Sequence, residues 1–194
     1  MSDFGRVHVY TGNGKGKTTA AVGAGLRAAG HGYSVHMVQF MKGEWFPQYG
    51  EIKSLQDDEN FTVEQFATQH FIEPDDVTEH DRKTVEKAIE ASRRAVDSNY
   101  DVVILDEINV ASHFGLVSED EMLGLIESKS PETELILTGR YAPESVIREA
   151  DLVTRMENVR HPYDGDGDGD GDGDGDEAEV DDAEGMDARE GIEW

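Results

Sequence analysis

Gly12 to Thr19 reads GNGKGKTT and has the make-up of a phosphate-binding loop. Glycines let successive backbone N–H groups turn inward as an anion nest, Lys17 can reach the β and γ phosphates, and Thr18 offers a hydroxyl to Mg²⁺. The usual spacing GxxxxGK[ST] puts its first glycine at position 11, but here Thr11 stands there and Gly12 follows. The GKT triplet opening a helix is the specific part; a plain Gly-rich turn is the competing explanation. Asp101 to Glu107 (DVVILDE) supports the phosphate reading independently. Its apolar run ending in Asp reads as a Walker-B strand, which places Asp106 at the carboxyl end of a buried strand beside the metal. Glu107 is then either a second metal contact or the base that activates water. The bland alternative is two acids capping a strand in solvent. Together the two segments point to a nucleoside triphosphate with Mg²⁺ (or Mn²⁺), and leave open what happens to the nucleotide.

The elements that must position these residues follow from periodicity. Arg6 to Thr11 alternates and is partly β-branched, so it reads as a strand ahead of the loop. Thr18 to Ala29 is Ala-rich and helical, with Gly23 and Gly25 expected to permit close packing against a sheet. Ser34 to Phe40 is a second strand. Lys42 to about Asn60 reads as loop with one short helix, and Phe61 to Phe66 as an edge strand. Asp81 to Ser98 carries Val85, Ala88, Ile89, Ala95 and Val96 on one face, an amphipathic helix. Asp101 to Leu105 is a central parallel strand covered on both sides. Ser118 with Glu121 forms a capping box opening another helix. Leu135 to Thr138 is a buried strand, Pro143 to Glu149 a short helix, and Leu152 to Met156 a last strand. Alternating strands and helices predict an α/β, P-loop NTPase-like fold, a mainly parallel sheet flanked by helices.

Composition sets outer limits. The chain has 194 residues, a net charge of -26 and no Cys. Without Cys there is no thiol redox chemistry, iron–sulfur cluster or thiolate zinc site, so electrons must come from an external reductant. The negative charge repels polyphosphate backbones and counts against nucleic acid as a partner. With no long apolar run for a membrane span and no signal-peptide pattern in MSDFGRVHVY, the expected compartment is the cytoplasm. From Asp164 to Trp194 the net charge is -14, more than half of the whole excess. Asp164 to Asp176 strictly alternates Asp and Gly, a composition that cannot bury enough apolar surface to order itself. The organisation expected is a P-loop nucleotide-binding domain over 1–163. A disordered acidic insert over 164–184 and a C-terminal segment over 185–194 that packs back on the domain complete it. The insert matches the calcium-loop pattern DxDxDG at Asp166, Asp168, Asp170 and Gly171, with Glu177, but any Asp-Gly repeat ending in Glu does so, and no amphipathic helix flanks it. An acidic surface of this kind also suggests a salt-rich cytoplasm.

The order GNGKGKTTAA, Arg27, VQFMKG (Val38 to Gly43), ILDEIN (Ile104 to Asn109), LTGR (Leu137 to Arg140), ADLVTRM (Ala150 to Met156), RHPYD (Arg160 to Asp164) and a terminal GIEW resembles the ATP:corrinoid adenosyltransferases of the cobalamin pathway. That resemblance implies transfer of the 5′-deoxyadenosyl group from ATP to cobalt(I) of a corrinoid, with release of tripolyphosphate. It implies a triphosphate loop of Gly12, Asn13, Gly14, Lys15, Gly16, Lys17, Thr18 and Thr19, running opposite to the usual direction. It also implies Mg²⁺ contacts from Thr18 and Glu107, a nucleotide contact from Arg27, a flavin-type external reductant and a homodimer. Lys17, Thr18 and Glu107 are the residues expected to carry catalysis. Family members often have a Phe and Trp segment against the corrinoid ahead of the long helix. This chain has ATQHFIEPDD there, so Phe71 is its one aromatic candidate. The spacing of His70, His80 and His113 gives no support for cobalt ligation. Two rival readings are a P-loop ATPase or kinase, and a nucleotide-gated corrinoid-binding protein without chemistry.

Overall fold

The apolar runs pair into one sheet in the computed structural model, which describes residues 5–42, 49–55, 57–67, 72 and 77–159. In chain order the elements are β1 (Val7–Thr11), α1 (Lys17–Gly30), β2 (Val35–Phe40), α2 (Gly50–Leu55), β3 (Phe61–Phe66), α3 (Glu79–Val96), β4 (Val102–Asp106), α4 (Ile108–His113), α5 (Glu119–Ser128), β5 (Glu134–Thr138), α6 (Glu144–Glu149) and β6 (Leu152–Arg155). The strand order is β3-β2-β4-β5-β1-β6, and every pairing is parallel. This is the expected α/β, P-loop NTPase-like arrangement.

Side chains alternate across the sheet and feed two apolar layers. Val103 and Leu105 of β4 join Val85, Ala88 and Ile89 of α3 and Met122 and Leu125 of α5. Val102 and Ile104 of the same strand join Ala21, Val22 and Ala29 of α1 and Phe61 of β3. With helices on both faces, β4 from Val102 to Leu105 and β5 from Leu135 to Leu137 are continuously apolar rather than alternating. β3 is an edge strand as expected, and β6 forms the other edge, exposed at all four residues.

Three local readings change. Gly25 does pack closely, since an added Cβ would stand 2.5 Å from Phe61 Cε2, but Gly23 is exposed with nothing within 4 Å. Residues two apart lie about 200° apart around a helix, so both cannot face one sheet. α3 begins at Glu79 rather than Asp81, because Thr78 and Asp81 form a capping box, the Thr78 N–H donating to Asp81 Oδ2 at 2.9 Å. An Asp at the third position departs from the usual Glu or Gln of that motif. α4, six residues directly after β4, was not expected. The Ser118 and Glu121 box at α5 is as read.

Phe71, His70, the Asp-Gly insert and the C-terminal segment lie outside the described residues. No described helix is long and apolar enough to cross a membrane.

The topology brings the carboxyl ends of β1, β2, β4 and β5 together, where open parallel sheets place their ligands. β5 lies between β1 and β4, so its last residue, Thr138, stands between the strand that feeds the Gly-rich loop and the strand that ends in Asp106.

Candidate functional site

The loop from Gly12 to Gly16 joins β1 to α1 as the sequence requires. Gly12 and Gly16 adopt φ 92° and 111°, left-handed values that a side chain resists. Gly14 is needed for close approach: an added Cβ would stand 2.7 Å from the Glu157 backbone nitrogen. Gly14 N–H donates to Met156 O at 2.7 Å, and Met156 N–H donates to Thr11 O at 2.8 Å. The chain after β6 is thus strapped to the loop, and the Gly14 amide is spent on that strap rather than turned toward an anion.

Lys17 is buried and folds beneath its own loop, its Nζ donating to Gly12 O and Gly14 O, each at 2.7 Å. Burial pushes its ammonium below the ordinary lysine range; Glu107 pulls the other way, while Arg140 and Lys42 add to the fall.

Asp106 is the hub. Fully buried at the end of β4, it accepts from four donors. Thr18 and Thr138 hydroxyls donate to Oδ1 at 2.8 and 2.6 Å, and Gln39 Nε2 and Lys42 Nζ donate to Oδ2 at 3.0 and 2.9 Å. Gln39 is paired directly with Asp106 in the β2–β4 register, and Gln65 Nε2 donates to Gln39 Oε1 at 2.8 Å, which fixes the way the Gln39 amide points. Burial alone would raise the Asp106 pKa. The Lys42 charge and the hydrogen bonds from Lys42, Thr138 and Thr18 outweigh it and hold the carboxyl below its ordinary value.

Lys42 closes the cluster. Its Nζ donates to Thr18 Oγ1 at 3.0 Å and stands 3.7 Å from Glu107 Oε1. Burial would lower its pKa, but Asp106 and Glu107 more than reverse this and keep the ammonium protonated far beyond the ordinary lysine range. Glu107 is shifted the other way: burial, with Asp106 beside it, raises its carboxyl against the pull of Lys42.

The backbone around the cluster is strained. Met41, Glu107 and Tyr141 are the non-glycine residues of positive φ among those described, at 58°, 64° and 59°. Each follows the carboxyl end of a strand and abuts a charged residue of the site: Lys42, Asp106 and Arg140. A left-handed residue with a Cβ costs about 1–2 kcal/mol, and such costs persist where the surroundings over-determine them. For Glu107 the restraint is visible, because its N–H donates to Thr138 Oγ1 at 3.1 Å.

The structure therefore unites Gly12, Gly14, Gly16, Lys17, Thr18, Asp106 and Glu107. Asn13, Lys15 and Thr19 are exposed on the loop and the first turn of α1. Arg27 is exposed in the last turn of that helix, ten residues beyond Lys17 and hence about 15 Å along the axis from the loop. His80 is exposed in the first turn of α3, and His113, at the end of α4, stacks on Tyr141 with ring centroids 4.1 Å apart. Beside the loop, an open cavity of about 600 Å³ is lined in part by Thr11, Gly12, Asn13, Tyr141, Arg155 and Glu157. Gln39, Lys42, Thr138 and Arg140 join the site although neither phosphate-binding motif contains them; they stand in VQFMKG and LTGR.

Thr18, Asp106 and Glu107 oxygens already surround a cation, the Lys42 ammonium. That is the donor set of a hard divalent ion held by one or two carboxylates plus phosphate oxygens. No cluster of three or more His, Cys, Asp or Glu suited to a metal occurs among the described residues.

A Gly-rich loop after β1, Lys17 and Thr18 opening α1 and a buried Asp closing β4 define a P-loop nucleotide-binding protein of α/β fold. Residues 3–170 match the model of the family described as ATP:corrinoid adenosyltransferase BtuR/CobO/CobP. The chain is 32% identical to the corrinoid adenosyltransferase of Escherichia coli K12 over 164 residues, covering 84% of this chain and 82% of that protein. It is 36% identical to the corrinoid adenosyltransferase of a Sinorhizobium species over 163 residues, covering 82% and 75%. An uncharacterised protein of Nostoc is 37% identical over 170 residues, which are 81% of this chain but only 45% of that protein. The chain belongs to the ATP:corrinoid adenosyltransferase family, and with it to the enzymes that adenosylate corrinoids from ATP.

Proposed function

We propose that this chain joins C5′ of ATP to the cobalt(I) of a reduced corrinoid and releases tripolyphosphate. The cobalt(I) electron pair forms the Co–C5′ bond, the C5′–O bond breaks, and its electrons depart on the triphosphate. The supporting observation is the loop GNGKGKTT beside the buried Asp106 in a chain of this family. Such a displacement needs the whole triphosphate held as leaving group while negative charge grows on its bridging oxygen.

In this reading Gly12 to Thr19 receives the triphosphate. Lys17 leaves Gly12 O and Gly14 O for phosphate oxygens, an exchange favoured because its ammonium is desolvated where it now lies. Thr18, Asp106 and Glu107 hold Mg²⁺, with Thr138 and Gln39 fixing the Asp106 carboxylate. When bound, the divalent ion neutralises charge on the leaving triphosphate. Arg140, exposed beside Lys17 and Glu107, is placed to meet phosphate charge from the solvent side. The cavity beside the loop, with Tyr141 in its wall, would take the part of the nucleotide next to the phosphates. The chain has no Cys, so reducing equivalents would come from outside it, and a flavin-type donor is what the family resemblance implies. Phe71 is the corrinoid contact proposed from its place ahead of α3.

A raised Glu107 beside the loop is also what a water-activating base would need, which favours ATP hydrolysis as the second reading. Phosphorus NMR of a reaction containing ATP, Mg²⁺ and reduced corrinoid separates the two. Tripolyphosphate supports adenosyl transfer, and ADP with orthophosphate as the sole products would overturn it.

A further inference from the structure

Lys42 is the residue of the site that neither the loop motif nor the Walker-B strand explains. Its ammonium lies 2.9 Å from Asp106 Oδ2, 3.0 Å from Thr18 Oγ1 and 3.7 Å from Glu107 Oε1. On its other side it stands 5.3 Å from the centroid of the Tyr49 ring. Oxygens of Thr18 in α1, Asp106 at the end of β4 and Glu107 directly after it therefore gather around one cation carried by the chain after β2. A magnesium ion binds such oxygens at about 2.0–2.1 Å. An ion bound to these oxygens would overlap the space of the ammonium, and two cations cannot share it.

We infer that Lys42 is a resident counter-cation of the metal position, and that a divalent ion binds there only by displacing the Lys42 ammonium. This rests on the reading above that Thr18, Asp106 and Glu107 hold the metal. Lys42 satisfies the buried Asp106 carboxylate, so free metal ions bind this acidic site only weakly. Arrival of the ion together with a triphosphate supplies both a stronger cation for the carboxylates and a new anionic partner for the displaced lysine. Lys42 thereby couples metal entry to nucleotide entry, and acts as a positioning residue.

The test is Mn²⁺ binding, read by electron paramagnetic resonance of the free ion, in the nucleotide-free full chain and in Lys42→Met, which keeps most of the apolar stem. Removing a unit charge at this range is expected to tighten Mn²⁺ binding at least about tenfold, even at a high effective dielectric. Lys42→Met should also melt at a lower temperature than wild type in chelator and recover when Mn²⁺ is added, because Asp106 then regains a cation. Should the variant not fold, acylation of lysines in the wild type, followed by mass spectrometry, still decides the matter. Lys42 should label slowly in chelator and faster when Mn²⁺ saturates the protein. Equal Mn²⁺ affinity in wild type and Lys42→Met, or Lys42 labelling that Mn²⁺ leaves unchanged, overturns the exchange. Glu107→Gln and Thr18→Val keep the two readings apart. If they weaken Mn²⁺·ATP binding while Lys42→Met has no effect, the metal site stands and the exchange falls. If neither changes Mn²⁺·ATP binding, the metal reading itself falls and takes the exchange with it.

Discussion

Thr138→Val is the substitution whose consequence can be worked most fully. Thr138 is completely buried, donates to Asp106 Oδ1 at 2.6 Å and accepts from the Glu107 N–H at 3.1 Å. Valine has nearly the same shape and suits a strand, so packing is preserved and only the hydroxyl goes. A hydrogen bond to a charged group contributes about 1.5–3 kcal/mol, and a buried N–H left without an acceptor costs about 1–3 kcal/mol. Asp106 keeps Thr18, Gln39 and Lys42, and Glu107 can relieve part of its backbone strain once released. The expected net loss is therefore about 2–4 kcal/mol, toward the lower end of the sum. For a chain of this size about 2–4 °C of melting temperature goes with each kcal/mol, so a drop of several degrees should accompany it. The assay is urea unfolding with an unchanged slope, alongside Thr138→Ser, which keeps the hydroxyl and should recover most of the loss. A Thr138→Val midpoint within about 0.5 kcal/mol of wild type, the range of an ordinary surface change, would refute the reasoning. So would a serine variant as unstable as the valine one.

Two further outcomes follow from particular contacts. Gly23→Ala and Gly25→Ala should move stability in opposite directions. The first gains up to about 1 kcal/mol of helix propensity in open space, and the second loses despite the same propensity, because its Cβ would stand 2.5 Å from Phe61 Cε2. Shifts of the same sign in thermal melts would contradict the packing described. His36, stacked on Tyr100 at 4.8 Å, is pushed by burial below the ordinary histidine range against the pull of Glu64. Its folded pKa is thus below its unfolded value of about 6.5, and the unfolded chain takes up the extra proton. The stability it contributes is complete above that value and is lost as pH falls through it toward the folded value. His36→Phe keeps the stack and removes this loss, so urea midpoints at about pH 8 and about pH 5 should fall less in the variant than in wild type. An equal fall in both would refute it.

The loop and the buried strands were legible because they are local signals. GNGKGKTT needs only its own glycines and the helix that follows, and DVVIL needs only apolar continuity. Lys42 and Gln39 were not legible in that way. A lysine after a buried strand reads as an ordinary surface cation until the β2–β4 register sets Gln39 opposite Asp106 and brings Lys42 against the same carboxylate. Thr138 lies 32 residues from Asp106, and what joins them is the placement of β5 between β1 and β4, a topological fact rather than a pattern. α4 was hidden for a different reason. Its start depends on Glu107 adopting a left-handed backbone held by Thr138, and no propensity announces that. The strap from Met156 to Gly14 likewise joins two segments that carry no mutual signal in sequence, although it occupies the Gly14 amide.

The central claim is that this P-loop transfers an adenosyl group rather than a phosphoryl group. It is tested most directly by anaerobic mixing of the protein with ATP, Mg²⁺ and chemically reduced cobalt(I) corrinoid, followed by visible spectroscopy. The expected result is loss of the cobalt(I) absorbance and formation of an alkylcorrinoid that light then cleaves. Persisting cobalt(I) absorbance with no light-sensitive product, in protein that binds ATP, would contradict it.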